Sequence, residues 1–208
     1  MPEINSIYVF DKLFKDRLKQ KFEIADMSHT NWGDDDIEDI RISIRDFYRI
    51  AQKGLCCYCR TNISLRSASN SHIEHIAPKS RYKQFIAVPN NLCVACADCN
   101  ETKGSSDVFA RSGFKRYPSK SEAFLIYHPH FDNFDDHFEN RVNVFIGLTR
   151  KGEYTILLCD INRVHKRFRV PPPDPREGEL HDLFFRFMSE TDFYKKMDLQ
   201  TQLRDKLS

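Results

Sequence analysis

Two pairs of cysteines, each with two residues between its members, constrain the fold of this chain more than any other sequence feature. Cys56 and Cys59 form the first pair, and Cys96 and Cys99 form the second. Each pair can turn two thiolates towards one ion, so together they offer the tetrahedral sulfur ligands typical of structural zinc. The 36 residues between the pairs are more than a simple zinc ribbon contains. We therefore expect zinc to clamp an inserted segment in place.

The pairing has alternatives, because six of the seven cysteines lie in one short segment. Cys93 with Cys96 is also an acceptable pair, and Cys57 can replace Cys56. We prefer Cys96 with Cys99, because the residues before Cys96 have the pattern of a strand that leads into the second pair. The remaining cysteines, predicted to be small buried hydrophobes, are then Cys57, Cys93 and Cys159.

Composition bounds the class of protein. Seven cysteines, an odd number and mostly clustered, argue against a disulfide framework and for metal in a reducing cytoplasm. No stretch approaches the ~18 apolar residues of a membrane span. The N-terminus also lacks the shape of a signal peptide. We therefore expect a cytoplasmic protein that has no membrane partner.

The charge is unevenly distributed, although the net charge is only +2. Residues 60–120 contain ten Lys or Arg and four Asp or Glu, a balance of +6. Residues 121–140 contain five acids and no Lys or Arg, a balance of −5. The basic segment is where an anionic polymer such as nucleic acid would bind. Its natural phosphate contacts are Lys79, Arg81, Lys83 and Lys103.

Hydrophobic periodicity predicts an α+β fold with three regions. Residues 1–54 have the spacing of two helices, and acidic residues 34–36 are expected to cap the second. Residues 55–113 have the pattern of short strands and turns, with a helix from about Asn100 to about Arg111.

The third region, residues 114–208, has the pattern of a hairpin followed by helices. Strands are predicted over 142–148 and 154–158, joined by a turn that contains a glycine. A short helix over 162–169 is expected to end at a run of prolines, and an amphipathic helix starts near Glu179.

The segment between the cysteine pairs carries side chains that suit hydrolysis of a phosphodiester. Glu74 is a hard oxygen ligand of the kind that Mg²⁺ or Mn²⁺ prefers. His75 has an unperturbed pKa of about 6.5, so near neutral pH it can take a proton from water. Asn100 directly follows the last cysteine, which would hold its side-chain oxygen rigidly. A carboxylate, an amide oxygen and a base around one divalent ion are the parts of a metal-assisted hydrolase.

Two further points qualify this set. Successive residues on a regular strand face opposite ways, so Glu74 and His75 share a site only where the strand twists or ends. The other histidines in this part of the chain are predicted to have no catalytic role. At His72 a third metal ligand or a phosphate contact is the alternative to the ordinary strand residue that we expect. We expect a solvated turn around His128, His130 and His137.

The ordered motifs resemble the HNH nuclease family, whose ββα-metal fold is also called the His-Me finger. They are Cys-x-x-Cys, Glu-His-Ile-x-Pro, Asn-Leu and Cys-x-x-Cys-Asn-x-x-Lys, within residues 55–112. The resemblance implies that His75 is the general base and that Asn91 holds the loop that orients this base. It also implies that Glu74 and Asn100 bind the catalytic Mg²⁺ or Mn²⁺. The chain departs from the family pattern where Asn100 replaces the last His and where Glu74 replaces the commoner Asp.

Shorter motifs extend the resemblance beyond that core. SHIEHIAPKS, HPHFDNFDDHFE and INRVHKRFR are similar to the HNH subunit of Septu-type and retron-linked phage defence, the PtuB proteins. Those proteins act beside a large ATPase of the ABC/SMC type. The resemblance therefore implies a PtuA-like ATPase partner and a role in antiviral defence.

Three classes of function compete at this point. They are a divalent-metal endonuclease, a zinc-stabilised nucleic-acid-binding module that does not cut, and an adaptor that contacts only proteins. An intact base with both metal ligands favours the first class over the second, and the local positive charge favours both over the third. We therefore predict a zinc-stabilised endonuclease, with DNA as the expected substrate and RNA as the alternative.

Overall fold

The chain forms two small antiparallel sheets surrounded by helices, in a computed structural model that describes residues 4–23, 28–141, 144–168 and 178–207. This architecture confirms the predicted α+β class. Among the described residues, no helix is both long enough and apolar enough to cross a membrane. In chain order the elements are α1 (Lys12–Glu23), α2 (Glu38–Ala51), β1 (His72–His75), β2 (Leu92–Ala95), α3 (Ala97–Lys103), β3 (Phe138–Arg141), β4 (Val144–Gly147), α4 (Arg150–Leu158), α5 (Arg163–Phe168), α6 (Gly178–Ser189) and α7 (Phe193–Leu207).

β1, β2 and α3 together form a ββα unit. The strands are antiparallel, and Glu74 lies opposite Cys93 in their register. The sulfur of Cys96 accepts a hydrogen bond from the backbone N–H of Cys99 and so caps the start of α3. The helix ends at Gly104, whose φ of 49° lies in the region that favours glycine. α3 therefore differs from the helix predicted over 100–111 at both ends. It starts earlier because Cys96 caps it, and it ends earlier because the glycine that stops it is Gly104 and not Gly113.

α2 forms a wall behind the ββα unit. Ile40, Ile44 and Tyr48 recur at every fourth position and are completely buried, which is the stripe expected of a helix that faces the core. The Tyr48 hydroxyl donates a hydrogen bond to the carbonyl oxygen of Pro89, at 2.9 Å. This bond attaches the helix to the turn that leads into β2.

The acidic residues before α2 connect it to α1 and do not cap it. Ile37 precedes the helix, and no side chain provides a capping hydrogen bond there. The carboxylates of Asp34 and Asp36 instead contact the Lys21 amino group, at 2.9 and 2.7 Å. The predicted capping role is therefore wrong. The carboxylates of Asp34 and Asp36 pair with the charged amino group of Lys21 instead of the backbone N–H groups at the start of α2.

The C-terminal hairpin lies earlier in the chain than predicted. β3 pairs with β4, whereas residues 154–158, predicted as the second strand, belong to α4. The Thr149 hydroxyl accepts a hydrogen bond from the N–H of Gly152 and caps this helix. Gly152 has no room for a side chain, since a Cβ there would lie 2.0 Å from the carbonyl oxygen of His137. The glycine that predicts a turn therefore serves close packing within a helix.

Two hydrophobic clusters form among the residues that the structure describes. The larger cluster runs from Ile4 to Ile161 and takes residues from all three predicted regions. The smaller cluster joins Val144 of β4 to the helices α6 and α7, which replace the single helix predicted from Glu179. The short helix predicted over 162–169 corresponds to α5, and the prolines predicted to end it lie outside the described residues.

His128 and His130 are buried, although the sequence predicts a solvated turn around them. The Nε2 of His130 donates a hydrogen bond to the carbonyl oxygen of Leu92 in β2, at 2.7 Å. The backbone N–H of His130 donates in turn to the Nδ1 of His128, at 3.3 Å. Burial lowers the pKa of His130 to about 4, although the bond to Leu92 opposes the shift. Both rings are therefore internal and uncharged, and His130 holds this segment against the ββα unit.

We expect the free energy of unfolding to fall as the pH drops from 6.5 towards about 4, because the unfolded chain binds a proton at His130 that the folded chain does not. Above pH 6.5 the ring is neutral in both states and adds no pH dependence. In His130→Gln the amide still donates to Leu92 but takes up no proton. Between pH 6.5 and 4 the variant should therefore lose less free energy of unfolding than the wild type does. The difference should be at most on the order of 3 kcal/mol.

Urea unfolding of both proteins at several pH values between 6.5 and 4 measures this difference. His128 keeps part of the pH dependence in the variant, because its pKa is also lowered by burial. Identical slopes in the wild type and in His130→Gln would contradict the prediction.

Candidate active site and metal centre

The four cysteines preferred from their spacing meet at one point. Their sulfurs all lie within 4.8 Å of one another, and all four residues are buried and free of disulfides. The sulfurs of Cys59 and Cys96 are 3.7 Å apart. Tetrahedral Zn–S bonds of about 2.3 Å place sulfurs ~3.8 Å apart, so this donor set fits a zinc ion. Within the described ranges, no other group of three or more His, Cys, Asp or Glu side chains could hold a metal ion. The cluster consists of Cys56, Cys59, Cys96 and Cys99.

The other cysteines lie outside this cluster. The thiol of Cys93 donates to the sulfur of Cys57, at 3.3 Å, and both residues are buried. Burial raises the pKa of both thiols, and it does the same for Cys159. These three side chains therefore pack as neutral thiols, and the alternative pairings through Cys57 and Cys93 have no geometric support.

Glu74, His75 and Asn100 line one cleft of about 170 Å³. Glu74 and His75 are the last two residues of β1, so the strand ends where their side chains would otherwise diverge. Asn100 is on α3, directly after the second cysteine pair, and it is half-buried. The cleft therefore brings together a carboxylate, an imidazole and an amide, as the motifs predict. The rest of its lining is formed by His29, Ile73, Pro78, Lys79, Ser80 and Gly104.

His75 is held so that one ring nitrogen is available for chemistry. Its Nε2 donates a hydrogen bond to the carbonyl oxygen of Ile86, at 3.1 Å. In the neutral ring Nε2 therefore carries the proton and Nδ1 keeps the lone pair. Trp32 packs edge-on against the ring, with 4.8 Å between centroids. Burial, and then the charge of Lys79, lower the pKa of His75 to about 3, so that the ring is uncharged near neutral pH.

Asn91 fixes the loop between β1 and β2. Its Oδ1 accepts a hydrogen bond from the N–H of Ala77, at 2.7 Å. Its Nδ2 donates to the carbonyl oxygens of Ala77 and Phe85, at 3.1 and 2.9 Å. Phe85 directly precedes Ile86, whose carbonyl oxygen orients His75. Asn91 therefore acts on the imidazole through the loop and not by direct contact.

Lys103 is predicted from the sequence to contact phosphate, and the structure contradicts this. Its side chain has no exposed surface, and its Nζ lies 2.5 Å from a carboxylate oxygen of Glu74. The same amino group donates to the carbonyl oxygen of His75, at 3.1 Å. The Tyr58 hydroxyl donates to the same Glu74 oxygen, at 3.2 Å. Lys103 is therefore the internal countercharge of a carboxylate that is itself buried, as such a group requires.

The other three predicted phosphate contacts differ in position. Lys79 is half-buried in the cleft, and burial lowers its pKa. Arg81 is exposed. Lys83 lies outside the cleft, on one wall of a groove whose other wall includes Lys15 and Lys19 of α1. Only Lys79 is therefore placed beside the candidate catalytic residues.

His29 is a cleft residue that the sequence analysis missed. It begins a single helical turn, His29–Gly33, which is capped by the Ser28 hydroxyl. No motif or spacing connects it with the segment between the cysteine pairs, and only the fold places it in the cleft. His72, which is also on β1, instead bonds through its ring to the carbonyl oxygen of Ser69, at 3.0 Å, and does not line the cleft.

Comparison with known families agrees with this geometry. The model of the HNH endonuclease family matches residues 56–106. The matched segment contains both cysteine pairs, β1, β2 and α3. Comparison with curated proteins and with solved structures gives no match. The chain therefore contains an HNH endonuclease domain, which is a nuclease-type module of about a quarter of its length.

We expect Lys103→Met to lower the free energy of unfolding by about 3–5 kcal/mol, because it leaves the buried carboxylate of Glu74 without its countercharge. The double variant Lys103→Met, Glu74→Gln should recover much of this loss, since neither charge remains. Lys79→Met is the control, because Lys79 is only half-buried and forms no ion pair with Glu74 in the described structure. Urea unfolding measures all three, and a Lys103→Met protein as stable as the control would contradict the assignment.

Proposed function

We propose that this protein is an endonuclease that hydrolyses phosphodiester bonds with Mg²⁺ or Mn²⁺ in the cleft between β1 and α3. One observation carries the proposal. His75 is buried and uncharged, with its Nε2 engaged and its Nδ1 lone pair available, in the same cleft as Glu74, Asn100 and Lys79. The four-cysteine cluster is assigned a structural Zn²⁺, because four thiolates leave no open position for substrate.

Glu74 and Asn100 are the residues that would hold the catalytic ion. Mg²⁺ binds to proteins through one or two carboxylates and completes its coordination with water and substrate phosphate, so a carboxylate and an amide oxygen suffice. Bound there, the ion supplies positive charge that stabilises the charge developing on the scissile phosphate. Lys79 adds a second positive group on the wall of the cleft.

His75 acts as the general base. Its Nδ1 takes a proton from the attacking water while Nε2 stays bonded to the carbonyl oxygen of Ile86. The water oxygen bonds to phosphorus as the bond to the leaving oxygen breaks, and that oxygen takes up a proton from solvent. Burial and Lys79 lower the pKa of the free imidazole, and an anionic phosphate in the cleft opposes both effects.

Nucleic acid is the proposed substrate, with DNA preferred and RNA as the alternative. The phosphate backbone is common to both and is contacted by cations at any sequence. Arg81 is exposed beside Asp107, and Lys83 shares its groove with Lys15, Lys19 and one acid, Glu23. Cations therefore outnumber acids on the surface from Lys79 to α1. The N-terminal region is thereby proposed to extend the binding surface of the HNH domain.

We expect His75→Ala to fold and to bind DNA but to cleave it about 10²–10⁴ times more slowly, because general-base catalysis is worth that factor. His72→Ala is the matched control, since His72 is on the same strand but outside the cleft. Both variants are compared with the wild type on plasmid DNA and on total RNA, with Mg²⁺ and with Mn²⁺. A His75→Ala protein that cuts as fast as His72→Ala would contradict the proposed mechanism.

A zinc-stabilised binding module that does not cut is the second candidate. It is favoured by the ion pair between Glu74 and Lys103, which already occupies one carboxylate oxygen of the proposed metal ligand. The same assay separates the two functions. Binding of DNA or RNA by the wild type without cleavage in either metal would support the module.

We further propose that the protein is the effector subunit of an anti-phage system and acts beside a PtuA-like ATPase. Support comes from the motifs outside the HNH domain, one of which forms α5. This helix exposes two apolar side chains, Val164 and Phe168, of which 53% and 67% of the surface is accessible. We expect the chain to copurify with the ATPase encoded by a neighbouring gene, and Phe168→Glu to weaken the complex. A lone chain that is fully active and never copurifies would contradict the partnership but not the nuclease.

A further inference from the structure

Arg163, the first residue of α5, lies against the second cysteine pair although 64 positions separate it from Cys99. Its Nη1 donates towards the sulfur of Cys99 and its Nη2 towards the sulfur of Cys96, both at 3.7 Å. Its Nε lies 2.9 Å from the carboxylate of Asp98, one of the two residues between these cysteines. The planar guanidinium therefore spans both sulfurs and the carboxylate together.

This position has an electrostatic reason. Four thiolates around one Zn²⁺ leave a net negative charge, and all four cysteines of this cluster are buried. A buried charge needs donors and a countercharge, and N–H groups directed at the sulfurs supply both. Groups that touch metal ligands from outside commonly change metal affinity by about 10–100-fold.

We infer that Arg163 is a positioning residue of the zinc cluster, which retains the metal by donating from α5 to the sulfurs of Cys96 and Cys99. The inference rests on the zinc that is part of the proposed function. The family match ends at residue 106, so the C-terminal region supplies a group that the matched HNH segment lacks. The same contact steadies the first turn of α3, which presents Asn100 to the cleft.

Arginine suits this position better than lysine does. Its fixed fork of N–H groups can reach two sulfurs and a carboxylate at once, whereas an ammonium is a single compact charge. Asp98 completes the arrangement, because its carboxylate contacts both Nε and Nη2 of Arg163 at 2.9 Å and so sets the plane of the guanidinium. Asp98 is itself largely exposed, so its role is to orient Arg163 and not to pack in the core.

The test is zinc release from the full chain to a colorimetric chelator, together with the absorption spectrum of the Co²⁺-substituted protein. Arg163→Met should release zinc about 10–100 times faster than the wild type. Its thiolate-to-Co²⁺ band should move to longer wavelength, because sulfurs without N–H donors give up electrons more readily. Arg163→Lys should fall between the two. Arg167→Met, an exposed change on the same helix, should match the wild type.

Asp98→Asn keeps the inference testable if Arg163→Met does not fold. It should speed zinc release by a smaller factor in the wild-type background and have no effect in the Arg163→Lys background, because Asp98 acts through the guanidinium. If Arg163→Met folds, zinc release and a Co²⁺ spectrum like those of the wild type would overturn the role of Arg163. If Arg163→Met does not fold, an Asp98→Asn protein that releases zinc at the wild-type rate would overturn it. A wild type that contains no zinc would overturn the proposed cluster itself, which distinguishes the two failures.

Discussion

The convergence of four cysteine sulfurs is the interaction on which the rest of the site depends. The ββα unit has two strands of four residues and one helix of seven, which is too little buried surface to hold its own shape. Bringing Cys56 and Cys59 against Cys96 and Cys99 fixes both ends of the segment that carries Glu74 and His75. The last of these cysteines directly precedes Asn100, so the cysteine cluster and the cleft share one turn of helix.

The cleft shows a second level of organisation, in which backbone atoms and not side chains orient the base. Asn91 holds the loop, the loop presents the carbonyl oxygen of Ile86, and that oxygen fixes the tautomer of His75. Glu74 is held differently, by the side-chain amino group of Lys103 from inside the protein. Regions outside the HNH segment contribute His29 and Arg163, so the nuclease domain is completed by the chain around it.

The features that the sequence predicted well depend on local spacing, and those that it predicted poorly depend on contacts between distant segments. Three features follow from residues that are close together in the chain. They are the cysteine cluster, the strand before Cys96, and the position of Glu74 and His75 side by side at the end of a strand. The burial of Lys103 depends on β1 meeting α3, and a lysine in a basic segment gives no sign of it. Gly152 is a second example. From the sequence it predicts a turn, whereas its actual role, close packing against His137, depends on a contact that forms only in the folded protein.

Elemental analysis combined with metal removal tests whether a bound zinc ion holds the proposed catalytic cleft together. Zinc in such sites contributes apparent binding energies of about 10–16 kcal/mol, so its loss should unfold the ββα unit. We expect about one zinc per chain and loss of both cleavage and near-ultraviolet circular dichroism on chelation. Both signals should return with Zn²⁺ and not with Mg²⁺ alone. A folded, actively cleaving protein without zinc would contradict this expectation.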